Sequence, residues 1–375
     1  MTHHIVVLGA GYAGLVAAKL AARRARRDGT RVTLVNQRDR FVERVRLHQL
    51  VTGQRLRDLP LADLLAGTGV ELVVDTVTEI DADARTVRPA HAPEIGYDTL
   101  VYALGSQADL SLVPGAAEHA HTVATLDQAE RLRTRLRDGG TAVVVGGGLT
   151  GIEAAAELAE CLPEVKVRLV TEGALGGALS RRAQRHLNAA FDRLAVEVRE
   201  HARVTEVHDD HVTLEGGDRL GADVTIWTTG FRVPELARQA GFSVDDDGRV
   251  LVDPTLRSVS HQEVYGIGDA AAVRTADGVE LRMACATALP VAQQAVRAIT
   301  ARLAGRTPDP VRFKYANQCV SLGRNDGLIQ FVRGDDSPVG MVLTGRMAAA
   351  YKEAIVKGTV MALRHPWMPT RMPGR

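Results

Sequence analysis

The amino-acid sequence predicts an α/β protein made of two parallel-sheet units and a smaller α+β unit at its C-terminal end. Three observations lead to this prediction. Two segments of the form G-x-G-x-x-G each follow a short apolar strand and precede an alanine-rich helix. Two later apolar strands each end in a small residue and a glycine. After residue 305 the sequence changes to short strands followed by one long helix.

The first glycine segment contains Gly9, Gly11 and Gly14. Residues 5–8 before it are typical of a buried parallel strand, residues 13–22 of a helix and residues 31–35 of the returning strand. Glycines at these positions permit a tight turn and let a pyrophosphate approach the positive end of the helix. The segment therefore predicts a Rossmann-like dinucleotide-binding domain.

The second glycine segment contains Gly146, Gly148 and Gly151. Residues 142–145 lead into it as a strand, residues 152–162 continue it as a helix, and residues 166–170 form the next strand. This motif is frequent by chance, so the prediction of a dinucleotide site depends on the strand before it and the helix after it. An ordinary glycine-rich turn is the alternative for either copy, but two copies in one context favour electron transfer between two dinucleotides.

Three further strand ends complete the pattern. Their final residues are Ala103 and Gly105, then Gly230, and then Gly268 with Asp269. A glycine at the end of a strand lets the chain cross closely over a bound nucleotide. A helical run that includes Ala292 follows Pro290.

The order of these motifs resembles the FAD-dependent pyridine nucleotide oxidoreductases, a superfamily with two dinucleotide domains. Within it the chain is most similar to the type II NADH dehydrogenase and apoptosis-inducing-factor-like branch, and the match covers roughly residues 1 to 305. The resemblance implies an FAD domain over residues 1–112 and 235–305, split by an inserted NAD(P)H domain over residues 113–234. Residues 306–375 would then form a small α+β interface domain that caps the flavin.

The resemblance also implies roles for single residues. The first glycine segment would hold the FAD pyrophosphate, and Asp269 would hydrogen-bond the flavin ribitol. A helix beginning near Pro290 would point its free N–H groups at the flavin pyrimidine edge, where negative charge develops on reduction. Glu153 would lie in the nicotinamide cleft and orient the nicotinamide ribose. The alternative for Glu153 is a first-turn carboxylate that favours the helix dipole.

The chain departs from the family pattern where the adenosine ribose is bound. Asn36 stands at the end of the second strand, where an acidic residue usually grips the ribose hydroxyls, and an amide can still accept and donate there. In the second unit Thr171 or Glu172 takes this position, and a carboxylate would favour NADH by repelling a 2'-phosphate. Arg181 and Arg182 are the alternative, since they would meet that phosphate, so NADH is weakly favoured over NADPH.

A basic segment before residue 50 falls where related reductases approach the flavin. Arg44 aligns loosely with an arginine that reaches the FAD pyrophosphate, and His48 and Gln49 fall near the flavin N5. A histidine there is a candidate proton donor to a reduced acceptor. A structural histidine packed on a helix is the alternative.

The three cysteines are Cys161, Cys285 and Cys319, and none forms a Cys-x-x-Cys or Cys-x4-Cys pair beside a glycine segment. A relay from flavin to a disulfide, as in thioredoxin or glutathione reductases, is therefore not expected. Sulfide:quinone reductases need two cysteines over the flavin, and only Cys285 and Cys319 are a conceivable pair. Buried free thiols and a cytoplasmic location are the simpler interpretation.

Composition limits the function classes. The chain has 375 residues, of which 45% are hydrophobic and 24% charged, with a formal net charge of +1. This size suits two or three domains, and the balanced charge gives no indication of a nucleic-acid partner. No run of about 18 apolar residues predicts a transmembrane segment, and the early strand at Ile5 predicts no leader.

The C-terminal seventy residues predict a hairpin over residues 319–323 and 327–332, then a helix from about 345 to 363. Apolar side chains gather near one face of this helix: Met347, Ala350, Tyr351, Ala354, Ile355 and Met361. We expect this face to pack against the hairpin as core. A dimer contact or a peripheral membrane contact is the alternative.

These observations together predict an FAD-dependent NAD(P)H dehydrogenase that passes electrons to a quinone or a similar small aromatic acceptor. Stacking of nicotinamide on flavin would supply most of its catalytic power. A ferredoxin or rubredoxin reductase is one alternative, and an FAD- and NAD-binding redox sensor with little turnover is another. A homodimer is also possible from the sequence.

Overall fold

The computed structural model describes residues 2–25 and 29–367 of the chain. The helices are α1 Tyr12–Ala25, α2 Leu47–Val51, α3 Leu61–Leu65, α4 Ala116–His119, α5 Leu126–Arg135, α6 Leu149–Cys161, α7 Arg181–Arg193, α8 Leu236–Gln239, α9 Cys285–Leu303 and α10 Gly345–Arg364. The strands are β1 His4–Leu8, β2 Arg31–Asn36, β3 Val70–Val74, β4 Val77–Asp81, β5 Thr86–Pro89, β6 Ile95–Gly96, β7 Thr99–Tyr102, β8 Gln107–Ala108, β9 Ala120–His121, β10 Gly140–Val145, β11 Val165–Val170, β12 Glu197–Arg199, β13 Val204–Val207, β14 His211–Leu214, β15 Arg219–Gly221, β16 Val224–Trp227, β17 Phe231–Arg232, β18 Val250–Leu251, β19 Val264–Gly266, β20 Ala271–Ala272, β21 Asn317–Ser321, β22 Gly327–Val332 and β23 Pro338–Thr344.

The first glycine segment follows the central strand of a parallel sheet. This sheet has the order β19-β7-β1-β2-β3. Its strands β1 and β7 are almost entirely buried, as expected for a sheet with helices on its faces. Strand β19 enters this sheet from the chain beyond the second glycine segment, so the sheet is completed only late in the sequence.

The second glycine segment follows the central strand of a second parallel sheet with a matching order, β12-β11-β10-β16-β9. Strands β10, β11 and β16 correspond to β1, β2 and β7. The likeness extends further, because a three-stranded antiparallel sheet precedes β7 as β4-β5-β6 and another precedes β16 as β13-β14-β15. The two units therefore repeat one architecture.

The C-terminal residues form an antiparallel sheet, β21-β22-β23, with α10 packed across β22. The predicted hairpin is confirmed, while β23 was not predicted because Pro338 and Gly340 weaken its strand pattern. Proline is tolerated at the first residue of an edge strand. Gly327 brings the helix close, since an added Cβ would lie 2.9 Å from the backbone nitrogen of Ala349.

This C-terminal sheet is fixed to the second unit through the turn between β21 and β22. Asp326 in that turn accepts hydrogen bonds from His186 Nε2 at 2.9 Å and from Arg193 Nη2 at 2.6 Å, both on α7. Glu160 on α6 accepts from the backbone N–H of Arg324. Apolar residues of β21 and β22 also share one buried cluster with α6 and α7.

The structure corrects the predicted start of α9. The helix begins at Cys285 and not near Pro290, which lies inside it as the sixth residue. Alanine and leucine between these positions favour helix, and a proline so close to the start removes only the hydrogen bond to the carbonyl of Ala286. The free N–H groups of α9 therefore belong to the turn that starts at Cys285.

The structure also corrects the predicted core face of α10. The six apolar residues expected to pack inward are exposed, among them Met347 with 71% and Met361 with 59% of their surface accessible. Ala348, Val360 and Leu363 are buried instead. Small and branched residues on the opposite face fit against β22 and the first unit more closely than long methionines do.

A buried lysine holds the end of α10 against the first unit. Lys19 on α1 is 5% exposed and donates to the carbonyl oxygens of Leu363 at 2.7 Å and Arg364 at 3.1 Å. A cation at the last carbonyls of a helix complements its dipole. Burial, together with the charge of Arg364, lowers the pKa of Lys19 to about 8.

We expect Lys19 to make stability rise with pH above about 8. Between the folded pKa of about 8 and the ordinary value of 10.5, the unfolded chain keeps a proton that the folded chain has released, so a higher pH favours folding. Relative to Lys19→Met, the free energy of unfolding should grow by about 2 kcal/mol from about pH 7.5 to about pH 9.5. Urea unfolding of both proteins measures this difference, and a difference that stays constant with pH would contradict it.

Candidate functional site

Each glycine segment forms a tight turn. Its third glycine has no room for a side chain, whereas its second glycine faces open space. In residues 9–14, a Cβ on Gly14 would lie 1.9 Å from the carbonyl oxygen of Gly9, whereas a Cβ on Gly11 would meet nothing within 4 Å. We call residues 9–14 and 146–151 the first and second glycine cradles. The third glycine lets the helix pack against the strand, and the second leaves room for a ligand.

The second glycine cradle repeats this geometry. A Cβ on Gly151 would lie 1.9 Å from the carbonyl oxygen of Gly146, and Gly148 again faces open space. Gly146 is also closely packed, because a Cβ there would lie 2.8 Å from Thr228 Oγ1. Both predicted dinucleotide turns therefore have the space that a pyrophosphate requires at the start of a helix.

Backbone hydrogen bonds settle the register at the ends of the second strands. Gly9 N donates to Val35 O at 2.8 Å, and Gly146 N donates to Val170 O at 2.9 Å. Asn36 and Thr171 are therefore equivalent, and Glu172 lies one residue beyond that position with an exposed side chain. The ambiguity between Thr171 and Glu172 is resolved in favour of Thr171.

Asn36 holds the first glycine cradle in shape. Its Oδ1 accepts from Ala10 N at 2.7 Å, and its Nδ2 donates to the carbonyl oxygen of Arg38 at 2.8 Å. Much of the amide's hydrogen-bonding capacity is thus used within the protein, which leaves less for a ribose hydroxyl than an acidic residue would offer. The guanidinium of Arg38 pairs with Asp127, and that of Arg40 pairs with Asp58.

The predicted strand ends lie beside the cradles. Ala103 packs against Gly9, where an added Cβ would lie 2.5 Å from the Ala103 carbonyl oxygen. Gly105 and Gly230 adopt φ values of +70° and +72°, which favour glycine and turn the chain away after β7 and β16. Ala292 is fully buried in α9 and packs in the apolar core of the first unit.

Three residues from distant parts of the chain meet beside the first glycine cradle. Arg44 Nη1 donates to Ser106 O at 2.7 Å and lies 3.7 Å from Asp269 Oδ2. Ser106 Oγ donates to Asp269 Oδ2 at 2.7 Å. Gly268, just before Asp269, packs against α1, since an added Cβ would lie 3.2 Å from Ala13 Cβ. Arg44 and Asp269, two residues singled out in the sequence, thus lie together, and Ser106 joins them.

Buried polar atoms without partners indicate that this region takes a polar ligand. In the described part of the chain, Tyr12 Oη and Glu43 Oε2 are buried and have no hydrogen-bond partner. Tyr12 follows Gly11 directly, and Glu43 precedes Arg44. Such groups usually find a partner in a native protein. Together with the open position at Gly11, they fit an FAD in the first unit.

Glu153 is not a free carboxylate at the second cradle. Its Oε1 pairs with Lys352 Nζ from α10 and accepts from Ser321 N at 3.0 Å. The side chains of Glu153 and Lys352 are only 13% and 14% exposed. This nearly buried ion pair joins the helix of the second cradle to the C-terminal helix. Burying two charges costs desolvation free energy, which their mutual attraction only partly offsets.

His48 is buried within α2 and is neutral at neutral pH. Burial lowers its pKa to about 4, against the opposing effect of Glu153. Lys352 and Arg324 lower it further. A neutral imidazole is a weak proton donor at neutral pH, which favours the structural interpretation over the catalytic one. Its neighbour Gln49 accepts from Arg46 Nη1 at 3.1 Å.

A cavity of about 260 Å³ lies between α2, the turn after β21 and α10, which we call the α2–α10 cavity. It is lined by Val45, Arg46, Gln49, Ser321, Gly323, Arg324, Asn325, Arg346, Ala349, Ala350, Lys352, Glu353 and Val356. Lys352 belongs both to this wall and to the pair with Glu153. The cavity therefore reaches the same charged contact that borders the second cradle.

No disulfide joins the three cysteines. Cys161, Cys285 and Cys319 are all free. Burial raises the pKa of Cys319 to about 12 and that of Cys161 to about 11, so both are protonated thiols at neutral pH. The neighbouring Cys285 adds to the raised pKa of Cys319.

Sequence reasoning missed several residues of the site. Ser106, Arg324 and Lys352 carry no local motif, and each reaches the site from a segment far along the chain. Arg46 lies in the basic segment before residue 50 but was given no role there. One signal was available for Lys352, because it is one of few lysines in an arginine-rich chain. Its pairing with Glu153 still required the position of α10.

Comparison with known proteins identifies relatives over most of the chain. Residues 3–298 match the family model described as pyridine nucleotide-disulphide oxidoreductase. An NADH dehydrogenase-like protein of Mycobacterium tuberculosis is 34% identical over 314 residues, which cover 78% of each chain. A demethylphylloquinone reductase of Synechocystis is 28% identical over 92% of this chain and 89% of the relative.

The fold is likewise shared with solved structures. NDH2 from Plasmodium falciparum, solved in complex with NADH, superposes with a TM-score of 0.81 at 14% identity, covering 98% of this chain and 99% of that one. This likeness confirms the predicted α/β class with its two Rossmann-like units. Across residues 2–25 and 29–367, none of the helices has the length and apolar character needed to cross a bilayer.

Substitutions in the first glycine cradle should separate folding from ligand binding. Gly14→Ala places a Cβ against the Gly9 carbonyl and should cost about 3 kcal/mol of stability. Gly11→Val enters open space, so the protein should fold but retain little FAD, because the side chain takes the pyrophosphate position.

Thermal unfolding of the apoprotein and flavin absorbance per protein after reconstitution measure these two effects. Stoichiometric flavin in Gly11→Val, or an unchanged melting temperature in Gly14→Ala, would show that the cradle does not work in this way.

Proposed function

Because the chain belongs to the pyridine nucleotide-disulphide oxidoreductase family, we propose that it is an FAD-dependent NAD(P)H dehydrogenase that reduces a quinone. The observation that carries this function is the pair of glycine cradles in one chain, each with a closed third glycine and an open second glycine. Two dinucleotides bound to equivalent turns are what hydride transfer between NAD(P)H and FAD requires. The demethylphylloquinone reductase among the relatives supports a quinone as the acceptor.

FAD, when bound, accepts a hydride from NAD(P)H and passes two electrons on to the quinone. Gly9, Gly11 and Gly14 would hold its pyrophosphate, with Arg44 nearby and Asp269 on the ribitol. The first turn of α9, which begins at Cys285 and leads to Pro290, would present its N–H groups to the flavin.

Gly146, Gly148 and Gly151 would hold the pyrophosphate of NAD(P)H, and the chain after Gly230 would cross near it. Glu172 would favour NADH, because an exposed carboxylate one residue beyond Thr171 repels a 2'-phosphate. The structural neighbour NDH2 was solved in complex with NADH, which agrees with a preference for NADH.

Glu153 and Lys352 would supply a proton to the acceptor. Reduction of a quinone to a quinol takes two electrons and two protons. NADH brings both electrons and one proton as hydride, so the second proton comes from solvent through side chains. The Glu153–Lys352 pair connects the second cradle to the α2–α10 cavity, and Gln49 lies on the same wall. We therefore place the acceptor in or beside this cavity.

The domain boundaries follow from the same proposal. The FAD domain comprises residues 1–112 and 235–305, the NAD(P)H domain residues 113–234 and the interface domain residues 306–375. Strand β19 in the first sheet and the equivalent orders of the two sheets support this division. We also propose a cytoplasmic location, which three free cysteines support.

The exposed face of α10 would contact a membrane surface. Met347, Tyr351, Ile355 and Met361 are exposed within roughly a third of the helix circumference, and the exposed Met341 of β23 precedes this helix. Basic residues Arg346, Lys357 and Arg364 belong to the same helix. Apolar side chains flanked by basic residues are what interfacial binding requires.

Anaerobic stopped-flow mixing tests the proposed reaction. FAD-reconstituted protein should be bleached by NADH at more than about one per second, and more slowly by NADPH. Mixing the reduced protein with menadione should then restore the flavin absorbance. Protein that cannot be reconstituted with FAD, or reduced protein that menadione does not reoxidise, would refute the function.

Glu153→Gln tests whether this carboxylate takes part in the reduction of the acceptor. Loss of the carboxylate should slow the reoxidation by menadione about 100-fold, since general acid–base groups contribute roughly that much. Glu164→Gln is the matched control, because Glu164 is exposed just beyond the same helix. Equal rates for the two variants would remove Glu153 from the reaction.

Vesicle flotation tests the membrane contact. The protein should float with vesicles of phosphatidylglycerol and phosphatidylcholine, and Met347→Gln with Ile355→Gln should weaken binding more than tenfold, because each buried apolar side chain contributes about 1.5–3 kcal/mol. Val259→Gln, an exposed valine elsewhere, is the control. A stable homodimer by light scattering with no flotation would assign the face to a second copy of the chain instead.

A further inference from the structure

The α2–α10 cavity has a strongly basic lining for a site that receives a quinone. Four cationic side chains border it, and Glu353 is the one acidic residue among its lining residues. The four cations are Arg46, Arg324, Arg346 and Lys352. Plain quinones with hydrocarbon tails carry no charge that would use such a lining.

Three of these cations are tied to acidic residues to different degrees. Lys352 pairs with Glu153, and Arg46 lies 2.8 Å from Glu353 and 3.2 Å from Glu43. Both are therefore compensated by carboxylates that they contact closely, and neither is the first choice for binding a further anion.

Arg324 is compensated less well. Its Nη1 lies 3.5 Å from Glu157 Oε1, at the limit of a hydrogen bond. Glu157 is fully buried, its Oε2 has no hydrogen-bond partner among the described residues, and burial raises its pKa. The Arg324 side chain remains 34% exposed toward the cavity side of the turn.

Arg346 is not compensated at all by the residues that the structure describes. It is exposed, and among those residues none hydrogen-bonds or ion-pairs with its guanidinium. It stands in the first turn of α10, a helix of 20 residues, whose N-cap Thr344 makes no side-chain capping hydrogen bond. The positive end of the helix dipole therefore adds to the charge of Arg346.

The rest of the cavity suits a flat ring. Val45, Ala349, Ala350 and Val356 give it an apolar part between α2 and α10. A volume of about 260 Å³ is close to the lower end of the range for small-molecule sites and accommodates a ligand of about two fused rings. The apolar part and the basic rim together suit a ligand with an aromatic body and an acidic group.

We propose that the acceptor of this enzyme is a quinone that carries an anionic substituent such as a carboxylate, and that Arg346 and Arg324 bind that substituent. This proposal rests on the proposed quinone reduction and narrows its substrate class. Arginine offers a planar pair of donors that matches a carboxylate in two-point contact.

A binding measurement with inert analogues tests the proposal without the redox reaction. Calorimetry on the FAD-loaded protein, without NADH, compares naphthalene-2-sulfonate with its neutral amide, naphthalene-2-sulfonamide. The anion should bind more tightly, and Arg346→Gln should reduce the ratio of the two affinities about tenfold or more, as expected for a hydrogen bond to a charged group.

Two further variants test whether the affinity ratio depends on the charges of the cavity. Arg364→Gln removes an exposed arginine at the other end of α10, roughly 27 Å along the helix, and should leave the ratio unchanged. Glu353→Gln removes the acidic lining residue and should raise the ratio, the opposite direction to Arg346→Gln. A ratio near one in the wild type, or equal changes in Arg346→Gln and Arg364→Gln, would overturn the proposal.

The outcome is separable from that of the proposed function. Reoxidation of the reduced protein by menadione, which is uncharged, reports on quinone reduction alone. If menadione is reduced and the affinity ratio does not depend on Arg346, the enzyme is a quinone reductase for neutral acceptors and the inference fails by itself.

Discussion

The close contact between the third glycine of each cradle and the carbonyl of the first is the constraint on which the architecture depends. At Gly14 and Gly151 a Cβ would lie 1.9 Å from a backbone oxygen, so only glycine lets the helix start directly against its strand. This packing aims the helix N-terminus at the carboxyl end of the sheet. Because it occurs twice with the same strand order, the protein has two equivalent glycine cradles.

The C-terminal sheet and helix contact both of these units. The turn before β22 is held by Glu160 and by the His186–Asp326–Arg193 cluster on the second unit. The end of α10 is held by Lys19 on the first unit. Between these anchors Lys352 meets Glu153, and the α2–α10 cavity opens beside the pair. The position of this cavity therefore depends on both anchors.

Sequence reasoning was most successful where the chemistry is local. The two glycine segments, their flanking strands and the Gly268–Asp269 strand end all depend on neighbours within about ten residues, and the structure places them as predicted. The start of α9 was wrong, because Pro290 was treated as a boundary although a proline early in a helix removes only one hydrogen bond. The apolar face of α10 was wrong, because periodicity shows that a face is apolar and not what covers it.

The sequence by itself determined the two nucleotide units, their cofactor class and the absence of a paired-cysteine motif, since glycine spacing and strand patterns are set by contacts between near neighbours. Only the tertiary structure decided that Asn36 is used within the first cradle, that Glu153 is paired with Lys352, and that a basic cavity lies beside them. The partners in each of these features come from segments far apart in sequence. Their meeting depends on how α10 and the C-terminal sheet pack on the two units, which no local pattern encodes.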